Sequence, residues 1–426
     1  MIARDARNAI GSLPRDVRLF LLYALSSNIV LGAFALLYNL YLTQLGYQED
    51  FIGMVNSLAT GSLALSAIVS GRLLQHRGSW WCLTYGTLLY LLTSVTVAFA
   101  ERPVAVVATM VLQGIATTFL FVPLMPFVID HTPPRRREEV AALALSLTSV
   151  SATIGSLVAG WIPYALHRLA GLPNPGAVTF RIALLASIVL GSLCLLPLFA
   201  MHDAKARPSE PNRSATGTMP TVTGRRATRR YFVAFVLAGG LLSLGNGAVV
   251  PFFNVYFAGL GLPTRVIGII FAVSSLVGAL CGLLAPAVAR RLGPLRAVTV
   301  IRSVPVLFFA LLLVWPTVAT AVTAFLVRTI SISMAWPIDS TLIAELLPAA
   351  VRGDAFGFRS AAWNVGFALA SLLGGYAIVR YGYGPVFAAY VVFCTAAVLY
   401  TAARLSDHPA AHGRAGSPAH RIEPVE

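Results

Sequence analysis

Apolar residues in this chain come in long unbroken runs, separated by short segments that carry nearly all of the charge. The runs fall near 19–42, 51–71, 80–100, 103–130, 139–165, 181–201, 231–258, 266–289, 297–316, 317–345, 356–379 and 385–403. Each is roughly 20 residues or more, enough at ~1.5 Å per residue to cross a hydrocarbon core ~30 Å thick. Membrane-spanning strands would read as alternating segments of about 10 residues. The runs therefore predict an all-α integral membrane fold of twelve transmembrane helices, each satisfying its own backbone polar groups. The pattern divides the chain into an N-terminal tail (1–18), a first six-helix bundle (19–201), a polar linker (202–230), a second six-helix bundle (231–404) and a polar C-terminal tail (405–426) for which disorder is expected. Residues 1–18 are polar and the first apolar run is too long for a signal-peptide core, so no cleavable signal is expected.

The two bundles repeat each other. Shifting the chain by 215 residues aligns Asn39, Tyr41, Leu45 and Gly46 with Asn254, Tyr256, Leu260 and Gly261. At the same offset Ile52-Gly53 meets Ile267-Gly268, Gly78 meets Gly293, Pro133 and Arg137 meet Pro348 and Arg352, and Ser156, Leu157 and Gly160 meet Ser371, Leu372 and Gly375. One constant offset across so many helices indicates duplication. Each copy has an even number of spans, so the copies share one topology and are related by an axis along the membrane normal.

Charge adds orientation. The net charge is +15, yet only 11% of residues are charged, well below the ~25% typical of soluble domains. The basic residues lie between apolar runs rather than along one face or beside aromatic platforms, which argues against a nucleic-acid partner. With the N-terminus inside, 23 Arg and Lys fall on cytoplasmic segments and 5 on outer loops. That bias predicts a multi-pass protein of the cell membrane, inner or plasma, with both termini cytoplasmic. The bilayer is then its constant partner. Cys82, Cys194, Cys281 and Cys394 all fall inside spans, with no metal-ligand or redox spacing, and read as small core residues. No phosphate-binding loop is present, and no hydrolase or metalloenzyme motif. No cofactor, no metal and no enzyme activity are expected.

Two local motifs give the chain a family likeness. The loop after the second span reads Gly71-Arg-Leu-Leu-Gln-His-Arg-Gly78, and the ends of the fourth and tenth spans read Asp130…Pro133…Arg137 and Glu345…Pro348…Arg352-Gly353. With six helices on either side of a basic linker, the chain resembles the major facilitator superfamily. Gln75 and Arg290 stand where that family's loop motif carries an acid. The resemblance implies a monomeric secondary transporter of a small molecule. It implies alternating access, with helices 1, 4, 7 and 10 lining a central cavity. It also implies a cytoplasmic gate, here Asp130, Arg137, Glu345, Arg352, Gly71 and Gly78.

Candidate chemistry concentrates in the tenth span. An ionised residue at mid-membrane costs roughly 2.5–3.5 kcal/mol, so it usually faces a partner or a wet cavity. Arg328 and Asp339 are eleven residues apart on nearly the same helical face, too far along the axis to pair directly. Arg328 reads as a contact for an anionic or carbonyl group, or as a structural partner of a neighbouring helix. Asp339 reads as a proton-coupling carboxylate, as a counter-ion to a cationic substrate, or as one half of a fixed ion pair with Arg302 or Arg359. Gln113 occupies the equivalent of Arg328 in the first half. Trp336, Tyr38, Asn28 and Phe252 complete the expected substrate contacts. Asn39 and Asn254 read as inter-helix hydrogen-bonding amides. The expectation is proton-linked export of a small amphipathic compound; the alternatives are import or exchange of an organic anion or polar metabolite, and a non-transporting sensor.

Overall fold

The computed structural model describes residues 13–133, 136–173, 175–201 and 222–406. The N-terminal tail to residue 12, linker residues 202–221 and the C-terminal tail from 407 lie outside the described residues. Among the described residues twelve helices are long and apolar enough to span a membrane. They are α1 (Arg15–Gln44), α2 (Glu49–Arg77), α3 (Ser79–Phe99), α4 (Pro103–His131), α5 (Leu143–Ala170), α6 (Ala177–Ala200), α7 (Thr228–Gly259), α8 (Thr264–Leu292), α9 (Pro294–Val314), α10 (Val318–Leu346), α11 (Ala350–Tyr381) and α12 (Gly384–Leu405). Among the described residues there is no strand.

Several helices outrun the apolar segments that predict them. The second run ends at residue 71, but α2 continues to Arg77. Hydropathy marks where hydrocarbon ends, whereas helical hydrogen bonding continues into the polar interface until a residue stops it. Gly78 stops α2 with φ of +86°, a conformation that costs little only without a Cβ. Gly293 does the same for α8 at +82°. The Trp315-Pro316 break falls between α9 and α10, where Thr317 caps the new helix by accepting from Thr320 N–H.

The internal repeat is visible in the helix boundaries. Both ends of α2, α3 and α4 lie 215 residues before the ends of α8, α9 and α10. The first and seventh spans are both interrupted, but at positions that the offset of 215 does not relate. The helix of α1 breaks at Asn28, and that of α7 passes through a 3-10 turn at Val250–Phe252 around Pro251.

The halves meet chiefly through α2 against α11 and α5 against α8. Glycines set how closely. A Cβ on Gly53 would overlap the backbone oxygen of Ser371, and one on Gly375 the backbone oxygen of Glu49. The symmetric pair, Gly160 and Gly268, is looser: each would-be Cβ lies 3.0 Å from the other's Cα. Small residues let helices close without a hydrophobic driving force between them. Side-chain hydrogen bonds also cross between the halves here. Asn39 Nδ2 donates to Pro251 O, Asn254 Nδ2 to Leu36 O (2.7 Å), Ser371 Oγ to Gly53 O (3.3 Å) and the Tyr383 hydroxyl to Glu49 Oε1 (3.0 Å). Leu36 and Pro251 are themselves 215 apart, so the two asparagines form a reciprocal two-fold clasp. Burial and the neighbouring Glu49 carboxylate push the Tyr383 hydroxyl above the usual tyrosine range, which keeps it a donor.

These contacts seal one end of the molecule, the end bearing the Gly46 and Gly261 turns. Toward the arginine-rich end the second half keeps a separate core, from Tyr231 on α7 to Leu405 on α12. There Leu65, Ile68 and Val69 of α2 are exposed, as are their counterparts Leu280, Leu283 and Leu284 of α8.

Candidate functional site

Behind the seal lies a cavity of about 350 Å³ between the halves. The first half lines it with Phe34, Tyr38, Asn39, Asn56, Tyr90, Met110 and Gln113; the second adds Pro251, Phe271, Phe325, Arg328 and Phe367. Helices α1, α4, α7 and α10 all contribute, joined by α2, α3, α8 and α11. Arg328 is the one charged residue among the lining residues. Its side chain is buried, its Nε donates to Asn246 Oδ1 at 3.0 Å, and its guanidinium lies 6.0 Å from the Phe325 ring. A neutral amide orients this cation but does not neutralise it.

Across the cavity the polar groups are uncharged. Gln113 accepts from Thr93 Oγ1, and its Nε2 donates to Ser94 Oγ at 2.9 Å, so α3 holds the amide in place. Asn56 Nδ2 donates to Asn39 Oδ1 at 3.3 Å, tying the cavity wall to the two-fold clasp. Tyr38 is 3% exposed and its hydroxyl has no hydrogen-bond partner. A buried hydroxyl left unpaired costs about 1–3 kcal/mol, which a cargo or water in the cavity would recover.

A second, much smaller pocket lies within the second half. It is lined by Asn246, Arg302, Ser331, Trp336, Asp339, Arg359, Trp363, Tyr390 and Cys394, among others. Here Arg302 Nη2 and Arg359 Nη2 both donate to Asp339 Oδ2. All three residues are buried. The fixed-pair alternative for Asp339 named Arg302 or Arg359; the structure gives it both. Trp336 meets Trp363 edge to face, with centroids 6.4 Å apart, and the Arg359 guanidinium lies 5.7 Å from the Trp336 ring. Trp336 thus lines this inner pocket rather than the central cavity.

Two expected cavity residues are corrected. Asn28 lines neither space: its backbone N–H donates to Ser151 Oγ at 3.1 Å and its Nδ2 to Ser27 Oγ, which fixes the break in α1 against α5. A polar residue at a helix break is occupied by the orphaned backbone around it. Phe252 is fully buried in the seal, where its ring backs the would-be Cβ positions of Gly53 and Gly374; its neighbours Val250 and Pro251 reach the cavity instead.

The expected gate residues sit at the arginine-rich end, and the side-chain bonds of Asp130, Arg137 and Arg352 stay within their own halves. Asp130 accepts from Ser79 Oγ at 2.8 Å, at the start of α3, where a carboxylate suits the helix dipole. Arg137 Nε donates to Thr132 O (3.2 Å) and Arg352 Nε to Leu347 O (2.8 Å), the same staple in both halves. Glu345 is exposed, Gly78 terminates α2, and Gly71 has open space where a Cβ would go.

Sequence reasoning missed Asn246, which lines the inner pocket and accepts from Arg328 of the central cavity. Its only signal was an amide in the apolar run of α7, eight residues before Asn254.

A profile described as Major Facilitator Superfamily matches residues 19–350 and 306–423. One curated relative, multidrug resistance protein MdtH of Aeromonas hydrophila subsp. hydrophila, is 23% identical over 192 residues, covering 44% of this chain and 46% of that protein. The chain thus spans about half the length of that relative. Among solved structures, a bacterial homologue of the human lysosomal transporter Spinster, inward-facing and occupied, superposes with a TM-score of 0.70 at 13% identity, over 95% of this chain and 98% of that one. A nucleoside transporter, NupG, gives 0.67 at 15% identity (92% and 98%), and a D-xylose-proton symporter 0.67 at 14% (91% and 95%). With a profile match through both halves and twelve spans arranged like those of these transporters, the chain belongs to the Major Facilitator Superfamily.

Proposed function

We propose that the central cavity binds a small amphipathic organic molecule whose polar end accepts hydrogen bonds from Arg328, and that the protein exports it by alternating access. One observation carries this reading: a cavity of about 350 Å³, walled mainly by aromatic and aliphatic side chains, with Arg328 as its single charge. A guanidinium offers a planar fork of donors suited to a carboxylate or carbonyl. The unpaired Tyr38 hydroxyl supplies a second polar contact. Export rests on the partial similarity to a multidrug resistance protein. With both termini placed in the cytoplasm of a cell-membrane monomer, the sealed end is the outer one, and the conformation faces inward.

Asp339 is the one buried carboxylate among the described residues, so proton linkage is assigned to it. Carrying a proton would require it to release at least one of its two arginines. The test is direct. A thermal-shift screen of purified protein against metabolites and drugs identifies a binder by mass action. Arg328→Gln should weaken that binder at least tenfold; unchanged affinity would sink the reading. In proteoliposomes with an imposed pH gradient, binder-dependent proton flux should vanish in Asp339→Asn, and flux that persists removes Asp339 as the coupling site.

A further inference from the structure

The buried charges of this protein do not balance. Among the described residues four charged side chains are buried: Arg302, Arg328, Arg359 and Asp339. All four belong to the second half. Arg328 belongs to the central cavity. The other three form a closed unit of two guanidinium groups on one carboxylate oxygen, with a surplus of one positive charge. Buried charge in a membrane protein normally has a partner. Here the second arginine has no acid of its own.

The site is also built to hold that surplus. Gly239 of α7 makes room for the Arg359 side chain: a Cβ there would lie 2.9 Å from Arg359 Cγ. Trp336 lies over the same guanidinium. Asn246, Ser331 and Tyr390 add neutral polar groups to the lining. Tyr390 and Cys394 of α12 line the pocket beside Arg302. The pocket between these groups offers about 30 Å³, where roughly 10–15 Å³ in the same measure accommodates one water. It has room for one small ion or a single carboxylate group, and none for a whole organic cargo. Trp336, which lines this pocket, is itself more than half exposed.

We propose that the Arg302–Asp339–Arg359 cluster is a binding site for one small monovalent anionic group, separate from the central cargo cavity. The group is either a free inorganic anion such as chloride or the carboxylate of a small organic acid. It adds the negative charge that the cluster lacks, and it shares the two guanidinium donors with Asp339.

The full-length protein, purified in HEPES buffer free of chloride and carboxylates, with sodium sulfate holding ionic strength constant, is titrated with sodium chloride and, separately, sodium acetate. Thermal unfolding temperature is read together with tryptophan emission. A saturable rise with chloride alone identifies an inorganic-anion site; a rise with acetate too identifies a carboxylate site; both support the proposal. Arg359→Gln leaves a neutral Arg302–Asp339 pair and should abolish the response, while Arg328→Gln should leave the half-saturating concentration within about twofold. Asp339→Asn provides the opposite sign. It raises the surplus to two, so anion affinity should increase at least tenfold and chloride should restore stability that the substitution removes. The proposal is overturned if the wild type shows no saturable response to either anion, if Arg359→Gln keeps the response, if Arg328→Gln abolishes it, or if Asp339→Asn binds no more tightly than the wild type.

Discussion

Thr87, Gln113, Leu124 and Ala144 in the first half stand at the positions of Arg302, Arg328, Asp339 and Arg359 in the second. Thr87 is bonded to Tyr23 and Gln113 to α3, and neither carries charge. Where the halves touch each other, by contrast, the duplication is preserved: Asn39 with Asn254, Gly53 with Gly268, Gly160 with Gly375, Leu36 O with Pro251 O as acceptors. The contact surface must be self-complementary under the two-fold axis, so both copies retain the same residues. The interior has no such constraint. One half has kept a neutral wall, and the other has gathered every buried charge among the described residues.

The largest effect should come from erasing that difference one residue at a time. Asp339→Leu, which installs the first half's residue, strands two buried guanidinium groups and should cost about 3–5 kcal/mol. Replacing the whole set by its first-half counterparts, Arg302→Thr, Arg328→Gln, Asp339→Leu and Arg359→Ala, removes the charges together. That quadruple variant should unfold less readily than the single one, measured by thermal or denaturant unfolding in the same detergent. If it is as unstable as Asp339→Leu, the cluster is a packing element and charge is not what sets the halves apart.

A smaller effect is expected at the seal, where symmetry itself is uneven. A Cβ on Gly53 or Gly375 would overlap a backbone oxygen outright, whereas the nearest atom to one on Gly160 or Gly268 lies at 3.0 and 2.9 Å. Gly375→Ala should therefore cost about 1–3 kcal/mol of the sealed state through overpacking and favour the alternative conformation. Gly160→Ala should do so less. Spin labels on the 45–48 and 260–263 loops would report the separation. Equal responses at the two contacts would show that the α2–α11 contact is no tighter than the α5–α8 contact.

The sequence made much of this visible, for identifiable reasons. Spans and repeat were readable because hydrocarbon demands apolar length and duplication leaves a constant offset. Helix ends were less so, since α2 and α11 continue past the hydrocarbon edge. In the site, Arg328 and Gln113 reach the cavity because their helices do, and both stand out in apolar runs. Asn28 and Phe252 misled because a polar or aromatic residue in a cavity helix can equally serve a helix break or the seal. Trp336 lies on the expected stripe of α10, but that stripe serves two spaces. The double engagement of Asp339 was beyond reach: it depends on where α9 and α11 lie around α10, a tertiary fact with no trace in spacing.

The smallest effect tests the symmetric part most sharply. Asn39→Ala and Asn254→Ala each remove one donor to a backbone carbonyl of the other half. Inter-helix hydrogen bonds in membranes average about 0.6 kcal/mol, and a two-fold clasp requires the two losses to match. They should agree within ~0.3 kcal/mol, the scale on which independent sites add. Cargo binding should separate them. Asn39 also accepts from Asn56 and lines the cavity, whereas Asn254 is buried and outside it. Asn39→Ala should thus weaken the binder found by thermal shift, and Asn254→Ala should leave its affinity unchanged. Matched stability with split affinity would place the boundary between conserved scaffold and diverged site on a single side chain.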